Sequence, residues 1–488
     1  MTEIAATRTQ IVIIGAGFGG LGLAIRLKKS GVDDFLILEK SHSVGGVWGR
    51  NRYPGAACDV PAHLYSFSFE PKADWPQKYA SQAEILEYLR HCARKYGLEA
   101  HIRFNAEVAE ARWNEASGRW SVRTTDDWVF ETQALVPATG QLSRPNCPQL
   151  PGLATFAGTV FHAAEWPQDC DLRGLRVAVV GTGASAVQLV PAIAPVVSKL
   201  YLFQRSAPYV LPKPDKKYPR WQINLYRRVP GALRLSRLLT YLNHEQTAFA
   251  FVTWRAALRV KRRAFFRHLR RGVTRAELRG RLDPDYRFGC KRILLSNDFY
   301  PAMDRDNVEL VTQRIGAIRA RGILTDDGDE RTVDCIVLAT GFTATDFLAP
   351  MTITGLGGQD LRQSWKDGAQ AYFGMTVPGF PNLFMLNGPN TTIAHNSVVY
   401  MIESQIRYVA ACLERLSRGG VRSLEVRANV EHTFNARLQR RLQNSIWTKG
   451  CTSWYRTAAG KITTNWPGYS FVYRLRTRAP NWRDYAAQ

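Results

Sequence analysis

No C-x-x-C pair occurs among the 8 cysteines, and their spacing fits neither a disulfide framework nor a zinc site. That counts against a dithiol reductase. There is no apolar run of 18 residues, and Met1–Gln10 contains no apolar segment of the kind a signal peptide carries. Neither a membrane span nor a secretory signal is therefore expected, and reduced thiols complete the picture of a soluble cytoplasmic protein. Acidic residues are scarce, with 41 Asp+Glu against 65 Lys+Arg and a formal net charge of +24. The imbalance is local: residues 211–285 hold 19 Lys and Arg against 5 Asp and Glu, a net +14. Zinc-finger spacing, RNP-like strands and recognition-helix signatures are all missing, so nucleic acid is not an expected partner. An anionic cofactor, peripheral contact with an anionic membrane, or a solvated basic face remain as readings of the basic run.

A chain of 488 residues with 45% hydrophobic content is long and apolar enough for two or three domains. It is organised around Ile11–Gly20, IVIIGAGFGG, in which a β-branched run leads straight into Gly15, Gly17 and Gly20. This G-x-G-x-x-G spacing describes a buried parallel strand, a turn too tight for side chains, and a helix whose free N–H groups face a pyrophosphate. Glu39 ends the next apolar strand, Phe35–Leu38, 19 residues past Gly20. A carboxylate there accepts from an adenosine ribose and repels a 2'-phosphate.

The same logic returns in RVAVVGTGASAVQLV. Gly181 and Gly183 take the first two glycine positions, Ala186 the third, and Ser185 lies at the head of the helix. This time the following strand, Leu200–Phe203, ends in Gln204-Arg205-Ser206, groups that donate to a 2'-phosphate. Two unlike ends imply two dinucleotides, FAD at the first site and NADPH at the second. The expected fold class is α/β, with two dinucleotide-binding (Rossmann-like) domains and a basic helical insertion in the second. The FAD domain is expected over 1–145 and 381–488, the NADPH domain over 146–210 and 286–380, and the insertion over 211–285. As a cap over the site or a surface hairpin, the insertion reads equally well.

Between these motifs lies a loop, GGVWGRNRYPGAACDV, with Trp48 among its aromatics and Asp59 as its acid. A glycine pair and a Pro-Gly turn suit close passage by something flat, and Asp59 needs a cationic partner from elsewhere. Further on, Ala134–Gly140 and Val333–Gly341 both end in Thr-Gly. Leu383–Leu386 reads as a strand, and Met401–Leu416 as a long helix whose N-terminus offers donors. Trp447, Trp454, Tyr455, Trp466, Tyr469 and Tyr473 read as core and pocket wall.

The linker before the second glycine motif runs Phe156-Ala157-Gly158-Thr159-Val160-Phe161-His162-Ala163-Ala164-Glu165-Trp166-Pro167. It fits F-x-G-x-x-x-H-x-x-x-W-P and resembles the fingerprint of Baeyer–Villiger monooxygenases, class B flavoproteins. FGCKRILLSNDFYPAMDRDNV over 288–308, ATGF at 339–342, GPNT at 388–391, HNS at 395–397 and NWPG at 465–468 resemble the same family. The resemblance implies an NADPH- and O2-dependent enzyme that inserts oxygen beside a ketone carbonyl through an FAD C4a-peroxide, giving an ester or lactone, with sulfoxidation as a side activity. It implies that Arg292 stabilises the peroxide anion, that Asp59 holds this arginine, and that Lys291 and Arg205 contact the 2'-phosphate. His162 and Trp166 would be structural or hinge residues, and Trp466 would sit on a mobile loop closing over the nicotinamide. A small ketone and O2 are the implied partners, and the chain is expected to act as a monomer or weak dimer.

Three positions depart from the family's habit: Ile293 follows Arg292 where proline is common, Phe299 replaces tyrosine, and Val47 replaces threonine beside the flavin. Two rival readings stand beside the main one. A related flavoprotein could oxygenate mainly sulfur or nitrogen, and a nucleotide-dependent redox sensor or basic scaffold would need no catalysis.

Overall fold

Two sheets divide the work of the chain in a computed structural model that describes residues 6–252, 257–448 and 455–488. The first has seven strands. Its centre is Thr7–Ile14, paired in parallel with Phe35–Leu38 on one side and Val129–Pro137 on the other. Ile11, Val12, Ile13 and Ile14 are all buried because both faces of a parallel strand are covered, hence the continuous apolar run. An antiparallel excursion, Val108–Asn114 and Arg119–Thr124, extends the sheet beyond Val129–Pro137. Thr352–Thr354 then pairs in parallel with Val108–Asn114. The chain has thus returned to this sheet while still inside the 286–380 stretch assigned to the NADPH domain.

The second sheet has five strands, all parallel: Val308–Val311, Lys199–Phe203, Arg176–Val180, Cys335–Leu338 and Thr159–His162 in spatial order. The front half of the F-x-G-x-x-x-H linker is therefore an edge strand, with His162 in register with Leu338. Helix Phe18–Lys29 follows the first glycine turn and Ala184–Ile193 the second. A methyl group at Gly20 would stand 1.9 Å from the carbonyl oxygen of Gly15, so only glycine lets this helix sit so close to its strand. In the second motif Ala186 is fully buried, so there the packing has room for one methyl.

The basic insertion is helical, with Arg220–Arg228, Ala232–Val252, Ala257–Gly272 and Ala276–Arg281. A parallel pair, Val210–Leu211 with Leu294–Leu295, closes its base and carries Lys291 and Arg292 back to the second sheet. Expected strand Leu383–Leu386 is an irregular neighbour of the first sheet, joined through Phe384 N–H to Leu135 and Leu386 N–H to Pro137. The long helix spans Val398–Ser417, capped by the Ser397 hydroxyl on Val399 N–H. Trp454 and Trp254 lie outside the described residues.

One expectation fails. Cys290 is disulfide-bonded, whereas reduced thiols were expected throughout; six other cysteines are free. Spacing rules detect short frameworks and metal clusters, and a single bond at one residue leaves no such pattern. The thiol argument for a cytoplasmic location loses its force accordingly. Among the described residues no helix is long and apolar enough to cross a membrane.

Candidate active site between the two sheets

The two glycine turns set the frame. At the first, Glu39 is buried at the end of its strand, its carboxylate oxygens accepting from Ala16 N–H (2.7 Å) and Ser41 N–H (2.8 Å). Each oxygen keeps a lone pair for a ribose hydroxyl. The loop glycines close the same cradle from above: Gly46 has φ +54, and a methyl there would lie 3.1 Å from the Gly17 Cα. Backbone with no side chains on either wall suits a flat, extended phosphate-bearing group, and FAD fits these residues.

The second turn carries a different signature. Arg205 is exposed, and Lys291 Nζ donates to the Ser206 hydroxyl at 2.8 Å. Burial depresses the Lys291 ammonium, and the nearby Arg205 charge adds to the depression. Two cations and a hydroxyl held together against their own repulsion fit a 2'-phosphate. Ser185 lies in the first turn of the helix that follows, on the side of Tyr53 in the opposing loop. Gln188, on the same helix, holds that loop as well: its Oε1 accepts from Tyr53 (3.0 Å), and its Nε2 donates to the Ala57 carbonyl (2.9 Å).

Between the turns stand Asp59 and Arg292, 233 residues apart in sequence. Arg292 donates to Asp59 Oδ2 from Nη2 at 2.6 Å and from Nε at 3.1 Å. Burial works to raise the Asp59 pKa, but the Arg292 charge and hydrogen bond outweigh it and hold the carboxyl below its ordinary value. Asp59 in turn drives the guanidinium pKa further up. The pair carries no titrating proton near neutral pH. Around it lie Cys58 and Tyr65, both pushed upward chiefly by burial, and Tyr455, pushed up to about 12 by burial. Trp48 packs edge-on to Tyr65 and donates its indole N–H to the Tyr65 hydroxyl at 3.2 Å.

His162 is buried, its Nδ1 accepting from Ala164 N–H at 3.1 Å, with burial lowering its pKa. Trp166 packs on Phe161. Both act in the packing of the linker, with Glu165 reaching Arg50 of the flavin-side loop. Trp466 lies beside the short helix Ser470–Arg476. It is buried against Tyr473, with its indole N–H on the Tyr469 carbonyl. Apolar packing holds the ring in the C-terminal core in this arrangement. Tyr65 escaped the sequence reading, because six residues beyond Asp59 in an irregular loop there is no periodicity to point at it.

Fold and site together define a flavoprotein that handles two dinucleotides and presents a fixed cation between them. A family model described as pyridine nucleotide-disulphide oxidoreductase matches residues 12–219. A Baeyer-Villiger monooxygenase of Pseudomonas aeruginosa is 44% identical over 98% of this chain and 91% of its own. Another, from Streptomyces coelicolor, is 42% identical over 98% and 92%. Among solved structures, the closed form of cyclohexanone monooxygenase superposes with a TM-score of 0.91 at 27% identity, covering 99% of this chain and 100% of that one. Oxidized steroid monooxygenase bound to NADP gives 0.87 at 32%, covering 99% of each. The chain belongs to the Baeyer–Villiger monooxygenase family. It is an NADPH- and O2-dependent flavin monooxygenase with FAD and NADPH as cofactors, and neither rival reading gains support.

Proposed function

We propose that this enzyme converts a small ketone to an ester or lactone, with Arg292 as the catalytic residue and Asp59 as its positioning partner. The observation that carries the reading is the two-point bond between Arg292 and Asp59 across the gap between the glycine turns. FAD, reduced by NADPH, supplies the activation of oxygen; the rest is the work of side chains. Gly15, Gly17, Gly20 and Glu39 hold the FAD pyrophosphate and ribose. Gly181 and Gly183 take the second pyrophosphate, and Arg205, Ser206 and Lys291 take the 2'-phosphate. Arg292 balances the negative charge that develops as oxygen is delivered to the carbonyl, and a guanidinium can do so without surrendering a proton. Asp59 aims it and offsets the cost of desolvating it. Trp48, Tyr65 and Tyr455 exclude water from the same volume, which strengthens every charge interaction inside.

The relatives whose structures match are titled for cyclohexanone and a steroid, so cyclic ketones are the first substrates to try. Product analysis with a cyclic ketone and a matched sulfide under NADPH and air tests the reading: lactone is expected as the main product. Sulfoxide formation with no lactone from any ketone would refute it. The charge of residues 211–285 supports, in addition, peripheral contact with an anionic membrane.

A further inference from the structure

A surface helix of a soluble protein ordinarily buries an apolar stripe and shows a polar one to water. In the insertion, Ala232–Val252 does the reverse. Its inner face is polar and is held by polar contacts. Ser236 meets His63 Nδ1 at 2.9 Å, and Arg237 donates to the carbonyls of His63 (2.7 Å) and Ser66 (2.9 Å). Tyr241 hydrogen-bonds with the Ser470 hydroxyl at 3.0 Å. Glu245 accepts from Asn396 and from Ser470 N–H, each at 2.7 Å. Its outer face is leucine. Leu235, Leu238, Leu239 and Leu242 are spaced three, four and seven apart from the first and are each between 51% and 58% exposed.

The neighbouring helix, Arg220–Arg228, continues this surface with Trp221, 68% exposed, and with Leu225 and Val229 at its exit. Arg220, Arg228 and Arg234 are exposed on the same two elements, and Lys216 and Lys217 on the segment leading into them. Leucine and one tryptophan bordered by arginine and lysine form the composition of helices that lie in a membrane interface. The surface is positive, so a second copy of this chain meets like charge. With a single aromatic ring among aliphatic side chains, the surface lacks the row of stacking platforms that a nucleic-acid strand uses. An anionic bilayer complements both features at once.

We propose that the outer face of Ala232–Val252, with Trp221 and Leu225 beside it, is the docking surface for an anionic phospholipid membrane, its leucines entering the headgroup–acyl boundary. The proposal deepens the reading of peripheral contact and rests on it; it adds which residues insert. The inner face fixes the angle of the helix, because its polar contacts reach Ser66, Asn396 and Ser470 of the FAD-side segments.

The test is co-sedimentation of the FAD-loaded enzyme with vesicles of phosphatidylglycerol and phosphatidylcholine, beside vesicles of phosphatidylcholine alone. The variants are L238S/L242S and R228Q/R234Q, with flavin content and ketone turnover as folding controls. Binding to the mixed vesicles is expected, weakened at least ten-fold by L238S/L242S and by R228Q/R234Q, and weak on phosphatidylcholine alone. Tryptophan emission should shift to the blue on binding, and the shift should fall in W221F. Binding that is lost in R228Q/R234Q yet unchanged in L238S/L242S would leave surface attraction standing and overturn insertion. No binding to either vesicle, or a concentration-dependent dimer dispersed by L238S/L242S, would overturn the proposal together with the contact on which it rests.

Discussion

Replacing Arg292 with alanine removes the fixed cation and leaves the two dinucleotide cradles untouched, so it separates delivery of oxygen from reduction of the flavin. The side chains of Asp59 and Arg292 are 27% and 33% exposed, which calls for a near-surface effective dielectric rather than that of a dry interior. With a value of about 20, a unit charge about 4 Å from developing negative charge contributes about 4 kcal/mol. At about 1.4 kcal/mol per factor of ten, that is roughly 10³ in rate. Loss of a single preorganised donor elsewhere in enzymology falls at about 10² to 10³, so the two routes agree. Stopped-flow absorbance should therefore show flavin reduction by NADPH within about three-fold of the parent, a margin well inside one factor of ten. Ester yield from a ketone should fall by at least about 10², with NADPH oxidation diverted to hydrogen peroxide. A double variant with Asp59→Asn should lose little more than R292A alone, since the pair acts as a unit. Ester formation within ten-fold of the parent in R292A would refute the assigned role, whatever the protein's stability.

The 2'-phosphate site should show itself in cofactor choice. R205A and K291A should each raise the KM for NADPH by about ten- to a hundred-fold, the worth of one charge-assisted bond, and leave the KM for NADH nearly unchanged. Steady-state kinetics with both nucleotides decides it, and an equal loss for NADH would mean a packing effect. Glu245 predicts an acid limit. Burial would raise its pKa, but the His395 ring 3.5 Å away and hydrogen bonds from Ser470 and Asn396 bring it to about 2, below its ordinary 4.5. A carboxylate depressed in the folded state contributes stability above its unfolded pKa and loses it as pH falls towards the folded one. The insertion should therefore loosen between about pH 4.5 and 2, a transition that limited proteolysis would detect and that E245Q should abolish.

Much of this architecture was legible because it rests on patterns of period and spacing. Glycines at 15, 20 and 181 stand where a positive φ or a close backbone atom excludes a side chain, those at 17 and 183 complete the spacing, and the strands before them read as unbroken apolar runs for want of a solvent face. The contrast between Glu39 and Arg205 is a contrast of charge, so it survives without coordinates. Asp59 could be marked as an acid in need of a cation, and Arg292 as that cation only through the resemblance of its segment. The bond across 233 residues has no local trace. The inverted helix illustrates the opposite limit. A leucine stripe at helical spacing is ordinarily core, and only its orientation in space turns this one outward. Cys290 escaped for a like reason, since a bond at one cysteine leaves no pattern of spacing.

Asp59 belongs to a loop beside the seven-stranded sheet and Arg292 to the return of the insertion towards the five-stranded one. The charge pair therefore exists only while those two parts are in contact, and the strength of that contact becomes a term in catalysis. Gln188 is the group best placed to set it. Its amide ties the helix after the second glycine turn to Tyr53 and Ala57, two residues short of Asp59. Gly55, between them, stands so near that a methyl group on it would fall 2.5 Å from the Gln188 carbonyl oxygen. Q188A removes three side-chain bonds, counting the one its Oε1 accepts from Ala57 N–H at 3.4 Å, at a cost of about 1–3 kcal/mol to that contact, and touches neither the cation nor its carboxylate. The variant should bind both cofactors with unchanged affinity and reduce its flavin normally. It should nevertheless release several times more hydrogen peroxide per NADPH, because Arg292 spends less time bonded to Asp59. Coupling equal to that of the parent would show that the register of the two parts is set elsewhere, and that Arg292 keeps its aim without this tie.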